Sequence, residues 1–180
     1  MQTEHFSDQQ SKLLNDLYSA VSRLTRLNQS LLLLVKIENR LLEGHKNINL
    51  ETIIDDLIVQ FEEIFNDKQL NVNVELSEKE LDTNPYLVDV LLNNLFSNAI
   101  RHNYQGGMIN IKLSTNYLII ENTGDDTALK PEQVFKRFSK SSSSEGSGLG
   151  LTISKQICEN LGFELLYTFN KGLHIFTIHF

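Results

Sequence analysis

The sequence is poor in several residue types, and each shortage excludes a class of protein. Of its 180 residues, one is cysteine, two are proline and none is tryptophan. The single Cys158 excludes an internal disulfide, and the Cys and His residues are not spaced as zinc ligands are. No apolar run approaches the roughly 20 residues that span a bilayer, and no signal peptide opens the chain. We therefore expect a cytoplasmic protein in which Cys158 is a buried, reduced thiol.

Basic residues are also outnumbered. Lys and Arg total 16 against 23 Asp and Glu, which gives a formal net charge of −7. A surface of that sign does not attract nucleic acid, so we expect no nucleic-acid partner. What the chain does have is 41% apolar and 22% charged residues, which is ordinary for a domain with a real core. At this length we expect one domain, or a small domain with an extension.

Residues 7–43 carry the pattern of one long helix. Apolar residues recur in steps of three and four along a heptad seam, which consists of Leu13, Leu17, Ala20, Leu24, Leu27, Leu31, Leu34 and Leu41. Glycine and proline are absent until Gly44, which predicts the end of the helix there. A small domain alone cannot bury so long a seam, so we infer self-association or a missing partner helix. The alternative is a helix that lies across its own domain.

The rest of the chain alternates between helical and strand patterns. Asn84 and Pro85 predict the N-cap and first residue of a helix, and Gly162 predicts a helix end. The predicted order is a polar hinge at 44–47, helix 50–66, strand 70–76, helix 84–102, hairpin 108–122, short helix 131–138, mobile loop 139–148, helix 151–161 and hairpin 163–180. This order favours an α+β fold, with a mixed sheet and helices packed on one face.

Residues 145–151 alternate glycine with small or aliphatic residues just before the last predicted helix. Because glycine has no Cβ, Gly146, Gly148 and Gly150 let a ligand approach the backbone closely. The helix start adds free N–H groups and a favourable dipole for phosphate. The stretch is therefore a candidate phosphate loop, and a flexible loop without a ligand is the alternative.

Two asparagines on the predicted helix 84–102 form a second candidate site. Asn94 and Asn98 lie four residues apart and share a face, and Arg101 and His102 follow on the next turn. The set offers amide oxygens to a metal and hydrogen-bond donors to phosphate. Alternatively the two amides bond to backbone, since a buried amide without a partner is costly.

Four segments together resemble the sensor histidine kinases. Residues 91–102 (LLNNLFSNAIRH) look like the N box, 121–124 (ENTG) like a variant of the first glycine box, 134–138 (VFKRF) like the F box and 146–151 (GSGLGL) like the second glycine box. They occur in the family's order. The resemblance covers about residues 50–180 and implies the catalytic domain of the gyrase, Hsp90, histidine kinase and MutL group, a two-layer α/β sandwich of the Bergerat type.

The resemblance implies ATP and Mg²⁺ as ligands. Asn98, supported by Asn94, would coordinate Mg²⁺ through amide oxygen, and Asn122 would accept a hydrogen bond from the adenine amino group. Gly124 would let the backbone pass close to the base, and residues 139–147 would form the ATP lid. The ATP-binding residues implied are Asn94, Asn98, Arg101, His102, Asn122, Gly124, Phe135, Arg137, Phe138, Lys140, Gly146, Ser147, Gly148, Leu149, Gly150 and Leu151.

The lid would bring Lys140 or Arg137 to the phosphates, but two departures from the family's pattern lie near the base. Asn122 stands where the family usually has Asp, although its carbonyl oxygen can still accept a hydrogen bond. Asp126 stands where a second glycine is expected, so that turn must be built differently. Asp125 and Asp126 would repel a phosphate if they pointed inward.

The first helix extends the resemblance. Residues 31–38 (LLLLVKIE) resemble the end of the second helix of the family's dimerisation and phosphoacceptor domain. The phosphoacceptor helix is absent, because His5 lacks the acid and proline that follow the family's histidine. We expect residues 1–46 to be a partial dimerisation helix and 47–180 the ATP-binding domain, in a piece of a longer protein. The implied partners are a second copy and a response regulator, and the implied parent is anchored in a bacterial inner membrane.

The implied reaction is transfer of the ATP γ-phosphate to a histidine on the absent helix, for relay to a response regulator. The chain alone should therefore not autophosphorylate, and no residue in it is a certain catalytic residue. One alternative is a non-catalytic signalling module of the same fold, which Asn122 and Asp126 favour. Another is an ATPase or serine kinase of that fold, such as an anti-sigma factor, against which the leucine-rich helix argues.

Overall fold

The computed structural model describes residues 7–138 and 148–180, which contain five helices and seven strands. In chain order these are α1 (Asp8–Glu38), β1 (Lys46–Asn49), α2 (Leu50–Asp67), β2 (Asn71–Glu75), β3 (Glu80–Thr83), α3 (Pro85–Arg101), β4 (Met108–Leu113), β5 (Tyr117–Thr123), α4 (Pro131–Val134), α5 (Gly150–Leu161), β6 (Glu164–Asn170) and β7 (Leu173–His179). Five strands form one sheet in the order β2-β4-β5-β7-β6, in which only β2 and β4 are parallel. The predicted mixed sheet with helices is confirmed.

One apolar layer between the helices and the sheet forms the core. Helix α3 contributes eight buried residues, Leu87, Val88, Leu91, Leu92, Leu95, Phe96, Ala99 and Ile100. The sheet presents every second residue to this layer, including Ile120 of β5 and Phe176 of β7. Cys158 of α5 is buried as predicted, and burial raises the pKa of its thiol to about 12. The thiol is therefore a protonated core group at neutral pH.

The ends of helices α3 and α5 follow the sequence prediction. Asn84 is the N-cap of α3 and accepts a hydrogen bond from the Leu87 N–H at 3.2 Å, and Pro85 is the first helical residue. Gly162 ends α5 in the left-handed conformation, with φ of 77°. At the other end of α3, the Lys68 ammonium donates to the Ile100 carbonyl at 2.8 Å. A cation at this helix end also complements the helix dipole.

Helix α1 has an exposed N-terminal part and a docked C-terminal end. Along the predicted seam, Leu13, Leu17 and Leu24 are each more than 60% exposed. Leu34 and Ile37 are instead buried in the core, where the end of α1 packs against α5. Leu27, Leu31 and Leu33 also pack against the core, so the C-terminal part of α1 lies across its own domain, while the seam before Leu27 stays open. Within the described residues, no helix is long and apolar enough to span a membrane.

The predicted end of the first helix is wrong. The helix stops at Glu38, before the predicted limit at residue 43, and Gly44 takes no part in ending it. Arg40 adopts the left-handed conformation with φ of 52°, and the N–H groups of Arg40 and Leu41 return to the carbonyls of Ile37 and Lys36. This is the Schellman arrangement, which glycine usually provides. Leu41 therefore leaves the seam and lies exposed.

A two-stranded sheet was not predicted. Lys46 and Asn47, expected in a polar hinge, belong to β1, which pairs antiparallel with β3. Both strands are short and polar, so neither carries the alternation that predicts a strand. The Asn84 amide also donates to the carbonyl of Glu43 at 3.2 Å, which fastens the preceding linker to the start of α3. The predicted helix at 131–138 is likewise shorter, since only Pro131–Val134 is helical.

Asn103 connects the end of α3 to the sheet. It is buried, donates to the Met108 carbonyl at 3.0 Å and accepts from the Thr123 hydroxyl at 2.6 Å. Gly107 passes directly over this pair: a Cβ there would lie 2.0 Å from Asn103 Oδ1 and 2.5 Å from Thr123 Oγ1. The packing therefore requires glycine at residue 107, and the contact holds the end of α3 beside the end of β5.

We predict that Gly107→Ala destabilises the fold by about 1–3 kcal/mol, the usual cost of overpacking. The free energy of unfolding in urea measures the effect. Gly150→Ala is the control, because a Cβ at Gly150 would have its nearest neighbour at 3.7 Å, an ordinary contact. Equal stability of Gly107→Ala and the unchanged protein would contradict the prediction.

Candidate functional site

A cleft of about 1870 Å³ lies between helix α1 and the face of the domain formed by α3, α5 and the ends of β5 and β7. It brings together nine of the residues predicted to bind ATP: Asn94, Asn98, Arg101, His102, Asn122, Phe138, Gly148, Gly150 and Leu151. Gly124, Phe135, Arg137 and Leu149 do not line it. Lys140, Gly146 and Ser147 lie outside the described residues, as do the rest of the predicted lid and His5.

Asn94 and Asn98 project from the one stripe of α3 that the core does not cover. Both are half-buried. The Asn94 amide nitrogen donates to the Gly150 carbonyl at 3.4 Å, so its oxygen remains available on the cleft side. The Asn98 side chain makes no hydrogen bond within residues 7–138 and 148–180. The alternative, in which both amides bond to backbone, therefore holds for the nitrogen of Asn94 but not for its oxygen, and it does not hold for Asn98.

Arg101 and His102 lie exposed at the end of α3, on the rim of the cleft. Desolvation, and next the charge of Arg101, lower the pKa of the His102 imidazole below its ordinary 6.5, with Asp125 opposing the shift. His102 is therefore mostly uncharged at neutral pH. Arg101 is the cation of this pair, and His102 can offer a phosphate or a ribose only a neutral hydrogen bond.

Asn122 is the most deeply buried polar group of the cleft, with 1% of its surface exposed. Its amide nitrogen donates to the carbonyl of Thr123 at 2.8 Å. Its Oδ1 is buried and has no hydrogen-bond partner, and it is the only such side-chain atom among the residues described. The Thr123 carbonyl fixes the orientation of the amide, because the reversed amide would set two oxygens against each other. Asn122 Oδ1 is therefore a buried acceptor that could accept a hydrogen bond from a ligand in the cleft.

Of the two acidic residues in the loop after β5, Asp125 faces the cleft and Asp126 does not. Asp126 is exposed, and its Oδ1 lies beside Gly172, in the turn between β6 and β7. Asp125 does line the cleft. Gly124 serves tight packing: a Cβ there would lie 2.9 Å from both the His102 carbonyl oxygen and His174 Cδ2. One acid, Asp125, thus remains near the base end of the cleft.

The segment that resembles the F box is attached to α5 and α1. The carbonyl of Phe135 accepts a hydrogen bond from the Thr152 hydroxyl at 3.0 Å, and the Lys155 ammonium lies 5.7 Å from the centre of its ring. Arg137 forms an ion pair with Glu38 at the end of α1. Phe138 is 57% exposed on the cleft side. The structure therefore turns Arg137 toward the first helix and away from the cleft.

Helix α5 begins at the cleft. Gly148 has φ of 70°, which favours glycine, and Gly150 is the first residue of the helix. Within the described chain, no side chain caps this helix start. A Cβ at Gly150 would have its nearest neighbour at 3.7 Å, so packing does not require glycine there. Because Gly150 lines the cleft, the backbone N–H groups and the dipole of this helix start are placed to attract an anion.

Sequence reasoning missed His174 and the part of α1 that faces the cleft. His174 is 6% exposed and stands opposite Asn122 in the β5–β7 ladder. The alternation in β7 could have revealed it, because His174 occupies the same buried side of the strand as Phe176 and Ile178. Arg23, Arg26 and Lys36 also line the cleft, and nothing local in the sequence indicates that α1 would cover this face.

The polar groups of the cleft suit a nucleotide that carries Mg²⁺ more than a metal ion held by protein side chains alone. Within the described residues, no cluster of three His, Cys, Asp or Glu side chains could hold a metal ion. The amide oxygens of Asn94 and Asn98 are hard ligands that suit Mg²⁺ when phosphates supply the remaining oxygens. The chemistry of this donor set thus fits Mg²⁺ carried by a nucleotide.

Comparison with known proteins agrees with the resemblance seen in the sequence. Residues 83–180 match the family described as histidine kinase-, DNA gyrase B-, and HSP90-like ATPase. The chain is similar to the Heme sensor protein HssS of Staphylococcus epidermidis, with 35% identity over 150 residues, 80% of this chain and 33% of that protein. The chain therefore spans about a third of the length of the curated relatives it matches.

Two solved structures share the fold. The Acinetobacter baumannii histidine kinase AdeS superposes with a TM-score of 0.77 at 24% identity, over 98% of this chain and 86% of that chain. Histidine kinase ThkA, solved in complex with response regulator protein TrrA, gives a TM-score of 0.69 at 21% identity, over 98% of this chain and 53% of that chain. Both likenesses include the long first helix.

We predict that Asn122→Asp lowers the free energy of unfolding by about 1–3 kcal/mol at pH 7, because a buried carboxylate would face the Thr123 carbonyl. Burial raises the pKa of such a carboxyl above the roughly 3.9 of an unfolded Asp, so the folded form binds more protons. The deficit should therefore shrink as the pH falls toward 4. Urea unfolding across pH measures it, with Asn15→Asp on the exposed part of α1 as the control; a pH-independent deficit would contradict the prediction.

Proposed function

The chain belongs to the histidine kinase-, DNA gyrase B- and HSP90-like ATPase family, and from that membership we propose that its cleft binds ATP with Mg²⁺ as the catalytic domain of a sensor histidine kinase. The observation that carries the proposal is Asn122 Oδ1, a buried acceptor without a partner in the cleft. The adenine amino group is a donor of the right kind for it. A buried polar atom that lacks a partner costs free energy, so it is retained where a ligand satisfies it.

The other end of the cleft supplies what a triphosphate needs. The start of α5 offers backbone N–H groups, and Arg101 offers a cation on the rim. Asn98, supported by Asn94, would hold Mg²⁺, and when bound that ion neutralises phosphate charge. Asn122 would orient the base and the helix start would orient the phosphates. Because phosphoryl transfer depends mainly on positioning and charge neutralisation, these residues are sufficient without a strong base.

We further propose that the phosphate goes to a histidine that this chain does not carry. A neutral imidazole is itself the nucleophile in such a transfer, so the ATP domain only has to present the γ-phosphate. The open leucine seam of α1 supports pairing with other helices, since monomeric proteins rarely expose a large contiguous apolar face. We propose that the seam forms a homodimer in a membrane-anchored parent. The ThkA–TrrA complex supports a response regulator as the second partner.

Binding of a nucleotide is the direct test. We predict that a non-hydrolysable ATP analogue with Mg²⁺ binds with Kd below about 1 mM, which corresponds to at least about 4 kcal/mol. Isothermal titration calorimetry measures it. Asn122→Leu removes the acceptor and should weaken binding at least about tenfold, because one hydrogen bond to a buried partner is lost. Asn73→Leu, on an exposed strand outside the cleft, is the control.

The alternatives give different results in the same titration. No heat up to millimolar nucleotide would reject the proposal and favour a non-catalytic signalling module. Binding followed by hydrolysis without any acceptor helix would favour an ATPase of the same fold.

We also predict that the chain alone does not autophosphorylate. Incubation with γ-labelled ATP should leave no acid-labile label on the protein, because no phosphoacceptor motif surrounds any of its five histidines. A complete histidine kinase treated in parallel shows that the label survives the procedure. Acid-labile phosphate on this chain would contradict the prediction and place the acceptor within it.

A further inference from the structure

Two side chains that the proposed function does not use hold the loop beside the candidate base site. The loop comprises Asp125–Leu129, between β5 and α4. His174 Nε2 lies 2.9 Å from the Asp125 carbonyl oxygen, and His174 Nδ1 lies 2.9 Å from the Tyr167 hydroxyl. The Leu129 N–H donates to the same hydroxyl at 3.0 Å. The loop is therefore fastened at both ends by one relay of side chains from β6 and β7.

The chemistry of the partners fixes the direction of each bond. A carbonyl oxygen can only accept a hydrogen bond, so His174 Nε2 carries a proton and donates to the Asp125 carbonyl. In that tautomer His174 Nδ1 accepts a hydrogen bond from the Tyr167 hydroxyl, and the hydroxyl oxygen accepts one from the Leu129 N–H. Burial raises the pKa of the Tyr167 hydroxyl, which keeps its proton in place. The tautomer with its proton on Nε2 satisfies all three bonds at once.

The loop has little else to hold it. Within residues 7–138 and 148–180, the bonds at the Asp125 carbonyl and the Leu129 N–H are the only hydrogen bonds that Asp125–Leu129 makes. All five of its residues are exposed, and Asp125, Ala128 and Leu129 line the cleft with Asn122. The hydrogen bonds from His174 and Tyr167 therefore determine the position of this loop, which forms one wall of the cleft.

We propose that Tyr167 and His174 are positioning residues of the nucleotide site: they hold the loop Asp125–Leu129 as a wall of the cleft that Asn122 also lines, and so set the affinity for the adenine base. The proposal rests on the proposed function. The position of the wall matters because the same cleft contains Asn122, whose Oδ1 has no hydrogen-bond partner among the described residues. A loosened wall would admit water to the acceptor, and the base would then have to displace it.

Tyr167→Phe tests this role with little change in packing. The ring keeps its contacts with His174 and Phe176, whose centres lie 6.0 Å and 5.2 Å away, and only the hydroxyl is lost. We expect about fivefold weaker binding of the non-hydrolysable ATP analogue with Mg²⁺ by calorimetry, the effect of one hydrogen bond. We also expect faster amide hydrogen exchange across residues 124–130 in the nucleotide-free protein. The unfolding temperature reports whether the fold as a whole has changed.

Tyr117→Phe is the matched control, since Tyr117 is also half-buried and begins β5 at the end remote from Asn122. It should change neither binding nor exchange of the loop. Unchanged exchange in Tyr167→Phe would overturn the tether, and faster exchange with unchanged affinity would overturn the positioning role. If the unchanged protein binds no nucleotide, the proposed function fails and the positioning role fails with it, while the exchange measurement still decides whether the tether exists.

Discussion

Helix α3 lies in the middle of the helical layer, and its packing decides where the polar groups of the cleft can stand. Eight of its residues are buried, and the narrow stripe left over carries Asn94 and Asn98. Lys68 and Asn103 hold its C-terminal end, next to the strand that carries Asn122. The two amide positions and the buried acceptor therefore keep a fixed separation. The site depends on this apolar contact more than on any bond within the cleft.

The parts of the fold that could be predicted are those coded by neighbouring residues. Asn84 with Pro85 and Gly162 mark helix ends through local chemistry, and the alternation in β5 and β7 marks the sheet. The end of α1 could not be predicted, because Arg40 takes the left-handed conformation that closes the helix, a role in which glycine is expected. Strands β1 and β3 were missed because they are polar and short, and only their mutual pairing makes them strands.

The candidate site was predictable as a set of residues but not as an arrangement. Spacing on a helix identifies Asn94 and Asn98 as neighbours, and the glycine stretch indicates a loop before α5. The pairing of Arg137 with Glu38 joins residues that are far apart in the sequence, so no local pattern contains it. The same holds for His174 and Tyr167, whose importance comes from the loop they contact. An acceptor without a partner, such as Asn122 Oδ1, is visible only when every neighbouring donor is known.

The linker after α1 is fastened to the domain almost as soon as it begins. Asn84 binds the carbonyl of Glu43, and β1 then pairs with β3, so only residues 39–42 separate the helix from the first attachment. Four residues reach at most roughly 14 Å when fully extended. The domain that carries the cleft is therefore tied to α1 twice, by this short linker and by the burial of Leu34 and Ile37 in its core. Any movement of the cleft relative to α1 has to separate Leu34 and Ile37 from the core, and it is limited to the reach of these four residues.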